Sequence, residues 1–363
     1  MRQITFSLGL ALVAATATVF AGSKPKFDER GNVLIVDRYN NRIIELDPLT
    51  RTNIWQYEVS VSKAATNWLV GPLDAERFKG RTLIVAGELP AGVSTNYPDG
   101  YSASRVFEVN RKGKILWEYG DTSLFRDGDH DLNGPVSAVY GAHKCVLIAD
   151  QGNHRVIHVR RRGGKNVEIV WQYGTTGVSG VASNQLNSPS SIQHLGSGNY
   201  LIADTGNNRV IEVKKRTKEV VWQYGTPADT TILNSPTYAC RLKHDNILIT
   251  DSGNNRILIV DPNGSNLFTY VTSAQYGSVT NPTPLHAVLL KSGNILIADQ
   301  FNHQVIQVDA GGNVVFTHGV MGVAGNTDGL LNAPVDAKIV EDFTSLTAPK
   351  GEGDGGSGFG FPF

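Results

Sequence analysis

The chain has 363 residues, with 33 Lys plus Arg balanced by 33 Asp plus Glu. That balance provides no global field toward nucleic acid or an acidic partner. Two cysteines exclude a disulfide-stapled scaffold, so stability must come from a packed core.

Residues 1–21 read as a secretory signal. Arg2 supplies the positive start, residues 4–20 the apolar stretch, and Val19, Phe20 and Ala21 the cleavage region. Export follows as an expectation, to an extracellular, cell-surface or periplasmic place. No Cys follows the cleavage point to carry a lipid, and after signal removal no apolar run is long enough to span a bilayer. Residues 22–31 are a short lead-in.

From residue 32 to residue 340 one pattern recurs: an apolar run, an acidic turn, a second run, then an aromatic strand. The acidic turns at Asp150, Asp204, Asp251 and Asp299 are 47 to 54 residues apart. Short strands with Gly, Asn and Pro between them at such a period predict a β-propeller. The outer strand is marked by Trp55, Trp117, Trp171, Trp222, Phe268 and Phe316. Two residues on, and so on the same strand face, stand Tyr57, Tyr119, Tyr173, Tyr224, Tyr270 and His318. An Asn-x-Pro signal opens the inner strands at Pro135, Pro189, Pro236 and Pro334; Pro284 and the region of Asn67 open the other two. The first copy has no inner strand before it, and the last inner strand, residues 335–340, has no blade after it. The prediction is an all-β, six-bladed β-propeller, closed by pairing N- and C-terminal strands in one blade, which removes exposed sheet edges. Cys145 and Cys240 fall on non-adjacent repeats and read as small core residues.

The turns at 204–209 and 251–256, with looser copies at 37–42 and 150–155, resemble those of the NHL-repeat family of six-bladed propellers. The resemblance implies the fold over residues 32–340, and little about function, because such propellers serve many roles. Some enzymes of that family use a channel metal held by several histidines, a set not reproduced here. The last copy departs in carrying Gln304 for Arg, and the second loses the Asp and the short turn. The repeated Asp and Arg read as scaffolding: Asp204 accepts turn amides, Gly206 and Asn207 tolerate positive φ, and Arg209 pairs with a carboxylate.

Function is therefore sought where the copies disagree. The second blade carries an insertion, residues 87–104, containing Glu88 and Asn96 and, as candidate ligand-binding residues on a long loop, Tyr97, Asp99 and Tyr101. The following connection holds Asp127, Asp129 and Asp131, alternating oxygen ligands suited to Ca²⁺ or another divalent metal, without the Gly and distal Glu of an EF-hand. Two residues beyond the inner-strand prolines, Ser137, Ser191, Tyr238, His286 and Asp336 ring the channel mouth. His286 and Asp336, on adjacent blades, are the candidate catalytic pair. On the opposite face, outer hairpins carry Arg160, Arg161, Arg162 and Lys165, then Lys214, Lys215 and Arg216, a candidate polyanion surface. After residue 340 a Gly-rich tail (341–363) ends with Phe359, Phe361 and Phe363 in alternation, suited to pockets on a protein partner or another copy of the chain.

Three functions follow as expectations. The first is an exported, non-catalytic propeller that binds a protein or assembles with itself. The second is a metal-assisted lyase or hydrolase at the channel mouth. The third is a polyanion-binding module.

Overall fold

The computed structural model describes residues 31–58, 69–93, 99, 101–121, 131–163, 166–344 and 346. The signal segment, Tyr97, Asp127, Asp129, Lys165, Phe359, Phe361 and Phe363 lie outside them.

Six four-stranded antiparallel sheets form the blades of a propeller. From the channel outward, the first blade is Pro334–Ile339, Val33–Asp37, Arg42–Asp47 and Thr52–Glu58. Ile35 faces Ala337 in the register of the terminal strands, so the two ends of the repeat region close the ring as expected. The second blade is Pro72–Phe78, Arg81–Leu89, Tyr101–Asn110 and Ile115–Asp121. The third is Pro135–Tyr140, Cys145–Asp150, Arg155–Gly163 and Asn166–Tyr173, and the fourth Ser191–His194, Tyr200–Asp204, Arg209–Val213 and Val220–Gly225. Pro236–Arg241, Ile247–Asp251, Arg256–Val260 and Asn266–Val271 make the fifth. Pro284–Leu289, Ile295–Asp299, Gln304–Val308 and Val314–Gly319 make the sixth. Second strands such as Ile247–Asp251 are buried along their whole length, which explains their continuous apolar runs.

The repeated polar residues brace each acidic turn, and the last of them ties one blade to the next. Asp204 Oδ2 receives Arg209 Nε at 2.7 Å and Asn207 Nδ2 at 2.8 Å, while Oδ1 receives the Asn187 amide at 2.7 Å. Asp37, Asp150 and Asp251 repeat the Arg pairing with Arg42, Arg155 and Arg256. The positive φ falls one residue later than the sequence suggests, on Asn208 at 50° and not on Gly206 or Asn207. Asn208 Oδ1 then accepts the Ser235 amide of the next blade at 2.8 Å. Gly206 is required for space, since a Cβ there would lie 2.6 Å from Asn187 Cγ. The aromatic register also joins blades: Trp171 stacks on Tyr200 of the fourth blade with centroids 3.9 Å apart. Cys145 and Cys240 are free and buried.

Two sequence expectations are corrected. The second blade's inner strand starts at Pro72, because Gly71-Pro72 takes the place of the Asn-x-Pro signal near Asn67. The insertion 87–104 is not a loop throughout: the hairpin keeps pairing, Glu88 with Ser102 and Leu89 with Tyr101, before it turns.

Beyond the ring, residues 341–344 and 346 lie across the lower ends of the inner strands. Phe343 meets Phe78 edge-on at 5.8 Å, the Lys79 amide donates to Glu341, and Leu346 packs on the core formed by the fifth, sixth and first blades.

Candidate functional site

Inner strands run from the top face, where the Asp turns lie, toward the hairpin face. Two residues beyond each inner-strand proline stand Asp74, Ser137, Ser191, Tyr238, His286 and Asp336, one per blade. Some of them stitch neighbouring strands. Asp336 Oδ2 accepts the Ala75 amide at 3.2 Å, Asp74 Oδ2 the Ala138 amide at 2.8 Å, and Ser191 Oγ the Ala239 amide at 3.2 Å. Ser191 is spent in this way and does not line the cavity above. One layer deeper, Glu76 accepts the Tyr140 amide at 2.6 Å and Gln193 the Arg241 amide at 2.7 Å.

Lys338 lies in the same deeper layer, buried between two carboxylates. Its ammonium donates to Asp336 Oδ2 at 2.6 Å, to Asp74 Oδ1, and to the Ala75 carbonyl at 3.2 Å. Burial alone would lower an ammonium, but Asp336 and Asp74 outweigh it and hold Lys338 above its ordinary value. Burial likewise would raise Asp336, yet Lys338 and His286 hold its carboxyl well below the usual carboxylate range. Asp336 is therefore an anion at neutral pH. Burial lifts Asp74 despite Lys338, and pushes Glu76 up to about 8.

Above this layer a cavity of about 340 Å³ opens at the channel mouth, lined by Asp74, Ser137, Tyr238, His286 and Asp336. Arg38 and Glu88 stand at its rim, with Arg38 Nη2 on the Glu88 carbonyl at 2.8 Å, so the second-blade insertion does reach the mouth. His286 Nδ1 lies 2.9 Å from Asp336 Oδ1. That is an ion-pair distance without hydrogen-bond alignment, and both ring nitrogens of His286 and Asp336 Oδ1 are buried without a hydrogen-bond partner. The Tyr238 ring packs on His286 with centroids 4.1 Å apart, and burial raises its phenol far above the ordinary value, so it stays protonated.

Sequence reasoning brought Ser137, Tyr238, His286 and Asp336 to this mouth and missed Asp74, Glu76, Lys338 and Arg38. Asp74 was within reach of the same count, from Pro72.

Residues 14–224 match the PQQ_2 family model, described as outer membrane protein assembly factor BamB. The chain belongs to that family. No curated protein matches it. Among solved structures, a Bacteroides caccae protein of unknown function is 14% identical with a TM-score of 0.56, covering 86% of this chain and 99% of its own. A streptogramin B lyase is 14% identical with a TM-score of 0.51, covering 82% of this chain and 81% of its own. A functionally unknown Desulfotomaculum acetoxidans protein is 11% identical with a TM-score of 0.51, covering 85% and 99%. These likenesses show the propeller fold. No helix among the described residues is long and apolar enough to cross a membrane.

Asp99 is exposed, and Tyr101 begins a strand. Asp131 gives its carbonyl to Arg155 at 2.6 Å and to Asn153 at 3.1 Å, a scaffold role. Among the described residues no group of three His, Cys, Asp or Glu could hold a metal ion. The basic hairpins are partly neutralised: Arg160 and Arg162 meet Glu168, Arg161 meets Glu108, and Lys214 meets Glu219. Lys215 gives its carbonyl to the Trp171 indole, and Arg216 is exposed.

Proposed function

We propose that the chain is an exported propeller with NHL-type repeats that acts by binding a protein partner, and that the channel mouth receives a hydrogen-bond donor of that partner, an ammonium, guanidinium or amide. The observation that carries this is the ionised Asp336 at an open cavity, whose Oδ1 lies buried beside the His286 ring without an aligned hydrogen bond. A buried polar atom left unpaired costs about 1–3 kcal/mol, which a donor entering the mouth would recover. Membership in a family described as an outer membrane assembly factor supports both export and a binding role. The test is a titration of histidine-labelled protein with the amides of N-acetyl-arginine and N-acetyl-lysine, followed through the His286 ring signals. Saturable shifts that vanish in Asp336→Asn are expected; an unresponsive His286 would sink the reading. Export is checked by fractionation, where a chain retaining residues 1–21 in the cytosol contradicts it. The tail bearing Phe359, Phe361 and Phe363 is the proposed docking segment for the partner or a second copy. Unchanged size-exclusion and pull-down profiles after removal of residues 351–363 would rule that out.

A second reading is favoured by the His286–Asp336 distance. Asp336 would orient the imidazole, which would move a proton as the acid or base of a lyase or hydrolase, with neutral Tyr238 beside it. Its signature would be turnover whose kcat/KM falls when His286 is replaced by Ala, while the fold, read by circular dichroism, persists.

A further inference from the structure

Three outer-strand tryptophans donate their indole N–H to a carbonyl on the next blade's outer hairpin. Trp55 reaches the Arg111 carbonyl at 2.9 Å, Trp171 the Lys215 carbonyl at 2.9 Å, and Trp222 the Pro262 carbonyl at 2.8 Å. Trp117 stands at the same register on the second blade, buried, and its Nε1 has no partner. The cause is a longer hairpin on the third blade. The chain from Val159 to its partner Ile169 is three residues longer than that from Val213 to Val220, and pairing continues through Arg161 and Val167. Arg161, standing where Lys215 stands in the fourth blade, lays its guanidinium over the Trp117 ring at 4.5 Å instead. Its Nε is also buried and unpartnered.

The side chains that carry these two donors line a cavity of about 500 Å³ on the lower face, with the donor atoms themselves buried behind its surface. The same wall holds Arg81, Lys144, Arg160 and Arg162 and, among the described residues, the single carboxylate Glu108. Glu108 is already engaged by Arg81 at 3.2 Å, Arg161 at 3.0 Å and the Tyr140 hydroxyl at 2.9 Å. Arg160 and Arg162 rest on Glu168, a half-exposed carboxylate outside the wall, and such exposed pairs exchange readily.

We infer that this cavity binds a tetrahedral oxyanion, sulfate or phosphate, either free or as a monoester on a sugar. Arg160, Arg161 and Arg162 line this one cavity together, and three guanidiniums call for three or four acceptor oxygens, more than a carboxylate presents. Guanidinium forks match such oxygens in geometry and charge. The site is independent of the channel mouth, which opens on the other face.

The test uses the full chain, with the Trp117 indole N–H signal assigned by its loss in Trp117→Phe. At ionic strength held constant with chloride, inorganic sulfate and phosphate should shift that signal saturably and leave those of Trp55, Trp171 and Trp222 in place. Arg161→Gln should weaken binding about tenfold, as for the loss of a charge-assisted hydrogen bond. Arg162, which is exposed, gives a second variant, Arg162→Gln, with little risk to the fold. Shifts that never saturate, that all indoles share, or that survive Arg162→Gln at unchanged affinity overturn the proposal. Glucose 6-sulfate or glucose 6-phosphate binding tighter than the inorganic ion assigns a sugar ester; equal or weaker binding assigns the free ion.

Discussion

Gln304 Nε2 donates to Asp299 Oδ2 at 3.0 Å in the sixth blade, at the position where arginines hold the acidic turns of the first, third, fourth and fifth blades. Asn302 and Gln275 add donors to the same oxygen, while Oδ1 has no partner. No ion pair reaches Asp299 among the described residues. Burial pushes its carboxyl above the ordinary value, with the three amide donors opposing. A raised carboxyl favours the folded state at low pH, and that contribution is lost as pH rises through the folded value. Asp299→Asn should therefore cost less than about 1 kcal/mol at pH 7 and compare better with the parent as pH rises. Asp204→Asn should cost about 3 kcal/mol, because it leaves Arg209 buried without its anion. Urea unfolding of both variants checks this; equal costs would refute the distinction.

His318 takes the place that tyrosines hold in the other five outer strands. Burial, with help from Arg51 and Arg42, pushes its imidazole down to about 4 from an ordinary 6.5. A base with a lowered folded value contributes stability above 6.5 and loses it as pH falls toward about 4. The loss over that window should reach roughly 3 kcal/mol in the parent and shrink in His318→Tyr. Unfolding curves at pH 7 and pH 4.5 provide the comparison. A pH slope unchanged by the substitution would show that His318 is not its source.

The ring and its closure were legible in the sequence because they rest on periodic, locally encoded signals: apolar strands, the acidic turn, the aromatic register and the unmatched strands at each end. The mouth was partly legible because equivalent positions lie at equivalent height, which grouped His286 with Asp336, 2.9 Å apart in the structure. Lys338 and Glu76 were missed since a charge four residues into an apolar inner strand has no periodic signature. Its partner is found only when strands from opposite ends of the chain meet, as Lys338 meets Asp74. The idle Trp117 was hidden for another reason: its loss is caused by hairpin length on the next blade, not by its own residue.

Lys338 links the first blade to the second through Asp336 and Asp74, all three buried. Lys338→Met keeps the volume and leaves two carboxylates facing each other, at a cost of about 3–5 kcal/mol at pH 7. The lowered carboxyl of Asp336 contributes stability above its unfolded value and loses it as pH falls, so the gap between variant and parent should narrow in acid. Lys338→Met combined with Asp74→Asn should recover part of the loss. A double variant no better than the single one would mean that Lys338 acts through packing along its stem.

The acidic turn separates two jobs that one short motif conceals. Gly206→Ala would drive a Cβ against Asn187 while the Gly206 amide is bonded to the Asn187 carbonyl at 2.8 Å, so neither side can retreat easily. A cost of about 1–3 kcal/mol follows, of the overpacking kind. Asn208→Ala instead keeps the space but pays about 1–2 kcal/mol for a left-handed backbone and also removes the acceptor for the Ser235 amide. Asn208→His should be far milder, because His154 and His303 hold the same left-handed position and accept the Ser188 and Ala333 amides through Nδ1 at 3.0 Å. Thermal unfolding ranks the three. A histidine variant as damaging as the alanine one would show that the blade link depends on the amide of Asn208 and not on a generic acceptor at that φ.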